Sequence, residues 1–241
     1  MRVSDLMRYV LWGGIVATAD ANRREYHMAT TWLPHLLTNT FTLLLPDLYR
    51  LLIPQGRDTK MLPPLVAEAE QTLSAMIRDN AAYVVYVLPL AAGYILSHPR
   101  FNIYKGDLAK IQLAGFGLDA IPHSATAAAL TTLICDTVDT ASTLPMTKNI
   151  LTDVIHESSQ APAATSGVIL ALVTLWWEVG EYLIYRHEMA SRGDMSKINM
   201  QWSLNDTLHD CVSNFTGWAV AMTLRSVLKS QRKSGHEPIR T

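Results

Sequence analysis

Five acids and a histidine recur inside otherwise apolar stretches of this chain: Asp119 and His123, Glu178 and Glu181, then Asp206 and Asp210, with Asn214 continuing the last pair. Oxygen ligands with a histidine or two suit a hard or borderline divalent metal such as Mg, Mn, Fe or Zn. A water on such a metal is a nucleophile for hydrolysis. The same groups without a metal could relay protons. They could also hydrogen-bond across helices as structural glue worth roughly 0.6 kcal/mol per contact. Lipid is the one neighbour they should avoid, because a charge at mid-bilayer costs roughly 2.5 to 3.5 kcal/mol on insertion scales.

Spacing sorts these residues into faces. Asp119 and His123 are four apart, and Glu178 and Glu181 three apart, so on a helix each pair shares a face within one turn. Asp206, Asp210 and Asn214 recur every four residues, and Gly217 extends the same stripe where a second helix could approach closely. His209 lies beside the stripe. In the catalytic reading His123 is a metal ligand or general base that Asp119 orients. Glu178, Glu181, Asp206, Asp210, Asn214 and His209 are then the metal-ligand set.

The elements that must position them are long and apolar. Of 241 residues 49% are hydrophobic and 17% charged, and apolar runs near 32–53, 82–97, 111–134, 163–185 and 207–228 approach the length that crosses a bilayer. The expected fold is an all-α polytopic membrane bundle of five to six transmembrane helices, forming one integral-membrane domain over 1–241. Residues 1–81 form a variable N-terminal part, 82–228 the motif-bearing bundle and 229–241 a basic tail. The alternative is a soluble helical domain with unusually apolar helices. The charge-free run 163–177 argues against it, since a soluble amphipathic helix shows charge every three or four residues.

Consecutive spans run antiparallel, so the start of the 111 helix, the end of the 185 helix and the start of the last one fall on one side. Counting from those ends at about 1.5 Å per residue, Asp119, Glu178 and Asp210 all lie about 10 to 12 Å deep. Three separately identified motifs thus share a level, which favours one site.

The remaining features carry less chemistry. Residues 8–19 read as a short first span or interfacial helix, with a cleaved signal as the alternative, and 54–81 and 135–162 read as polar loops, the first with a helical stretch after Pro64. The net charge of −1 gives no sign of nucleic-acid binding, and the basic tail suits lipid headgroups. Cys135 and Cys211 form no CxxC pattern and read as unpaired, buried thiols. His27, His35 and His98 read as interfacial, and Trp176, Trp177, Tyr182 and Tyr185 as an interface belt and packing.

The segments 119-DAIPH-123, 177-WEVGEYLIYR-186 and 205-NDTLHDCVSNFTG-217 together resemble bacterial inner-membrane proteins of the YjdF type, a loosely VanZ-like group. The resemblance covers roughly 82–228. It implies a helical inner-membrane fold and a site at Asp119, His123, Glu178, Glu181, Asp206, Asp210 and Asn214, and it adds little about the reaction. Asn214 stands where an acid is common in that group. The adjacent glutamates of CAAX-type metalloproteases and the signature blocks of lipid phosphatases are absent. The expected activity is metal-dependent hydrolysis or transfer on a lipid or lipid-linked substrate. The alternative is a non-enzymatic membrane protein that moves protons or cations or only organises its bundle.

Overall fold

The computed structural model describes residues 2–26, 32–53, 62–78, 81–113, 115–144, 150–198 and 202–234. His27, the loop residues 54–61 and the tail from 235 onward lie outside them. Eight α-helices follow in order: α1 (Val3–Glu25), α2 (Trp32–Leu52), α3 (Pro64–Leu73), α4 (Tyr83–Ile95), α5 (Ala120–Thr143), α6 (Ile150–Gln160), α7 (Pro162–Arg192) and α8 (Leu204–Ser234). A two-residue ribbon interrupts them, β1 (Gln112–Leu113) antiparallel to β2 (Phe116–Gly117). The all-helical class expected from the sequence is therefore what forms.

Local chemistry explains the bounds of the long helices. Pro162 sits in the first turn of α7, where its missing N–H costs nothing, and Gly193 ends the helix at φ 64° with its N–H on the Met189 carbonyl. Ser203 caps α8 by accepting the Asp206 N–H at 3.1 Å.

Two expected bounds are corrected. The helix predicted from 111 begins only at Ala120, because Gln112–Leu113 and Phe116–Gly117 pair as the ribbon, so Asp119 stands at the helix entrance rather than about 12 Å inside it. The predicted loop 135–162 is largely helical: α5 continues to Thr143, and α6 follows.

Side-chain contacts fix the helix directions. Ser124 at the start of α5 donates to the Ser213 carbonyl early in α8 (2.9 Å), and Arg225 late in α8 pairs with Asp136 (2.8 Å) and Asp139 late in α5. These two helices run parallel and form the most extensive pairing. Thr207 meets Glu178, and Trp218 donates to Ser166 (3.2 Å), so α7 runs antiparallel to α8. Residues at the ends of α1 and α4 join the same layer, with Asn22 donating to Ser97 at 3.2 Å. One end of the bundle therefore collects the ends of α1, α4 and α7 and the starts of α5 and α8.

Gly217 makes the α5–α8 approach. A Cβ there would collide with the Ser124 carbonyl and lie 2.9 Å from the Ala127 methyl. Gly217→Ala is expected to destabilise the fold by about 1 to 3 kcal/mol, the usual cost of overpacking. Denaturant unfolding measures it, and an unchanged midpoint would contradict the close contact.

The apolar core lies in the N-terminal half, where Ile15, Ala19, Leu43, Met76, Val87 and Tyr94 pack among α1, α2, α4 and the turn 74–78. The C-terminal half is different, because Thr131, Ser166, Glu178, Asp210 and Ser213 are buried while Val168, Leu172, Leu175, Trp176, Leu208 and Phe215 are exposed. Among the described residues one helix, α7, is long and apolar enough to cross a membrane, and only 11% of its most apolar stretch is buried within the protein.

Candidate metal centre

The three helices named by the sequence do converge at one end. Glu178 and Glu181 on α7 and Asp210 on α8 each offer an oxygen, and these atoms lie within 4.8 Å of one another. That separation fits a triad able to hold a metal ion. Asp210 is six residues, about 9 Å, into α8, whereas Glu178 is fourteen residues, about 21 Å, from the end of α7, because that helix outlasts its apolar run by more than a turn. The shared level is thus set by packing rather than by equal distance from helix ends.

Glu178 is the most informative member. It is 7% exposed, Thr207 Oγ1 donates to its Oε2 at 2.6 Å, and its buried Oε1 has no hydrogen-bond partner among the described residues. An orphaned buried carboxylate oxygen is costly, and a cation or a proton on the triad removes the cost. Three clustered carboxylates cannot all stay ionised in low dielectric without such compensation.

His123 lies 3.5 Å from Asp210 through Nε2 and edge-on to Tyr104, ring centroids 6.4 Å apart. Its position one turn into α5 comes from Pro122, buried against Gly93 of α4, where a Cβ would meet the proline at 3.4 Å. Asp119 precedes the helix as its N-terminal flanking residue and makes no capping bond with its side chain. Asp119 and Asp206 are both within electrostatic reach of Asp210. Tyr104 donates to the Gly93 carbonyl (3.1 Å), and burial, followed by Asp119 and Asp210, pushes its phenol above the ordinary range, so it stays a neutral donor.

The other sequence candidates fall around this centre. Asn214 donates to Thr174 Oγ1 (3.1 Å), a contact that ties α8 to α7 one turn from Glu178. His209 packs on Phe116 of the ribbon, centroids 5.4 Å apart. Asp206 lies in the first turn of α8 outside the converging triad.

His35, expected at an interface, instead stacks on Tyr94 (5.0 Å) and approaches Trp177 (6.0 Å). Cys135 is buried as expected, but Cys211 is exposed. Sequence reasoning missed Thr207, Thr174 and Tyr104. Thr207 lies inside the Asp206–Asp210 stripe but one residue off its face, and the other two are polar side chains without charge.

Comparison with protein-family models, with curated proteins and with solved structures finds no match for this chain.

Proposed function

We propose that this chain is a polytopic protein of a bacterial inner membrane that binds one divalent metal at Glu178, Glu181 and Asp210 and uses it for hydrolysis or group transfer on a lipid or lipid-linked substrate. Its relatives would be the YjdF-type proteins. The observation that carries the reading is the buried, unpartnered Glu178 Oε1 within a carboxylate triad drawn from two helices.

Polarity supports the membrane setting. Apolar side chains face outward on α1, α7 and α8, and charged ones such as Arg8, Glu178, Glu188 and Asp210 face inward. The six helices α1, α2, α4, α5, α7 and α8 are the proposed spans, with α3 and α6 at the end opposite the triad. His123 is the proposed base, since a neutral imidazole beside Asp210 can take a proton from a metal-bound water.

Metal analysis of the full chain purified without chelator tests the first step, and about one Mg, Mn, Fe or Zn per chain is expected. His123→Gln tests the second step. This variant should insert normally, keep metal affinity within about tenfold of the parent, and fail to complement a deletion strain. Metal-free protein would remove the hydrolase reading in favour of a proton pathway or a structural network. Full complementation by His123→Gln would remove the base.

A further inference from the structure

A cavity of about 460 Å³ opens between the last two turns of α1 and the turn that follows α4, at the same end of the bundle as the triad. Two alanines of α1 and Pro99 line it together with Asp20, Arg24, Glu25, His98 and Arg100. The volume falls in the range of small-ligand sites.

The charges that line it are arranged rather than merely numerous. Asp20 pairs with both Arg23 (3.1 Å) and Arg24 (2.5 Å), which anchors Arg24 at the edge. Among the described residues Arg100 forms no ion pair. Its backbone N–H bonds the His98 ring at Nδ1 (3.2 Å), which leaves Nε2 as the remaining polar atom of that ring, and the ring stacks on Phe101 at 5.0 Å. Two guanidiniums and two carboxylates thus share one opening. An anion alone would meet Glu25 and Asp20, and a cation alone would meet Arg24 and Arg100. A ligand bearing both charges meets neither conflict.

Depth narrows the ligand further. Val10, Trp12 and Val16 are exposed and apolar, and the cavity begins at Ala17, where α1 turns polar. On the membrane reading, that is where a helix leaves hydrocarbon for the headgroup layer. We infer that the cavity binds the headgroup of an amine-bearing zwitterionic phospholipid, its phosphate on Arg100 and Arg24 and its ammonium on Glu25 and Asp20. The inference rests on the membrane reading but not on the metal. The chain from Arg100 to Tyr104, which packs edge-on to His123, spans at most about 14 Å, so the cavity and the triad lie at one end of the bundle.

The test uses the full chain in detergent micelles and phosphatidylethanolamine as the probe, with phosphatidylglycerol and water-soluble glycerophosphoethanolamine as comparison arms. Native mass spectrometry should show about one phosphatidylethanolamine retained per chain and at least tenfold weaker retention of phosphatidylglycerol. Arg100→Ala should lose retention at least tenfold, and because Arg100 is exposed and unpaired the variant should fold. Glu25→Gln should shift preference toward phosphatidylglycerol. Equal retention by the parent and Arg100→Ala, equal binding of the two lipids, or displacement by glycerophosphoethanolamine at matching concentration would overturn the assignment. Alkaline carbonate extraction keeps the two failures apart: release of the chain sinks the membrane reading, whereas a firmly embedded chain lacking lipid preference sinks only the headgroup site.

Discussion

Asp210→Asn is expected to weaken Mn or Zn binding a hundredfold or more, about 2.8 kcal/mol, while leaving the fold in place. The substitution keeps the shape of the side chain and removes one of three carboxylates that converge within 4.8 Å. Affinity at oxygen-ligand sites depends strongly on ligand charge count. Asp210 also lies 3.5 Å from His123, so the variant separates the metal from its neighbouring base as well.

Because an ion that binds only the folded chain raises its stability, added Mn or Zn should raise the melting temperature of the parent and do so much less for the variant. Asn214→Ala is the matched control, since its amide bonds Thr174 rather than the triad, and its metal affinity should stay near that of the parent. Titration against a chelating dye reads both. A parent whose melting ignores Mg, Mn and Zn, or an Asp210→Asn chain that binds like the parent, would end the metal assignment.

The second large effect is expected far from that site. Arg8, with its side chain 2% exposed, donates to the Leu43 carbonyl at 2.5 Å and pairs with Asp47 at 2.6 Å and Asp5 at 2.8 Å. Arg50 also reaches both acids, but at 3.6 Å. Arg8→Met therefore leaves two partly buried acids facing a more distant cation and removes a side-chain donor from the Leu43 carbonyl. Breaking a buried charge network by removing one partner costs about 3 to 5 kcal/mol. Denaturant unfolding should show that loss. Adding Asp47→Leu should recover part of it, because the orphaned charge, not the lost attraction, dominates the penalty. A change below about 1 kcal/mol for Arg8→Met would mean that water reaches the network freely.

Much of the arrangement around the triad was legible in the sequence because it depends on local periods. The Glu178–Glu181 and Asp206–Asp210–Asn214 spacings define helix faces directly. Gly217 marks a close approach wherever a partner helix happens to be. The start of α5 was not legible, because the apolar run from 111 carries no mark of the two-residue ribbon that occupies it.

The helical continuation through Asp136 and Asp139 was hidden for a different reason. Two acids read as a helix end until Arg225, 86 to 89 residues away, neutralises them from α8. Arg8 behaves in the same way. Its Asp5 partner is three residues off and readable, but Asp47 is a contact of the folded chain. His35 reads as interfacial because no local pattern announces that Tyr94 and Trp177 will enclose it.

The parallel pairing of α5 with α8 has a mechanical consequence. The Ser124 bond to the Ser213 carbonyl fastens one end and Arg225 with Asp136 and Asp139 fastens the other, so the two fastenings are 12 to 15 residues, about 18 to 22 Å, apart along α5. A slip of one helix past the other by a single turn, about 5.4 Å, would undo both at once and drive the Gly217 crossing into the Ser124 backbone. The pair is therefore a rigid post. α7 meets it through Trp218–Ser166, Asn214–Thr174 and Thr207–Glu178, with Ser166 also on Met222 and Cys135 on the Pro162 carbonyl, none of them an ion pair. Because α7 carries two of the triad's three carboxylates and the post carries the third, parting α7 from the post would take the triad apart.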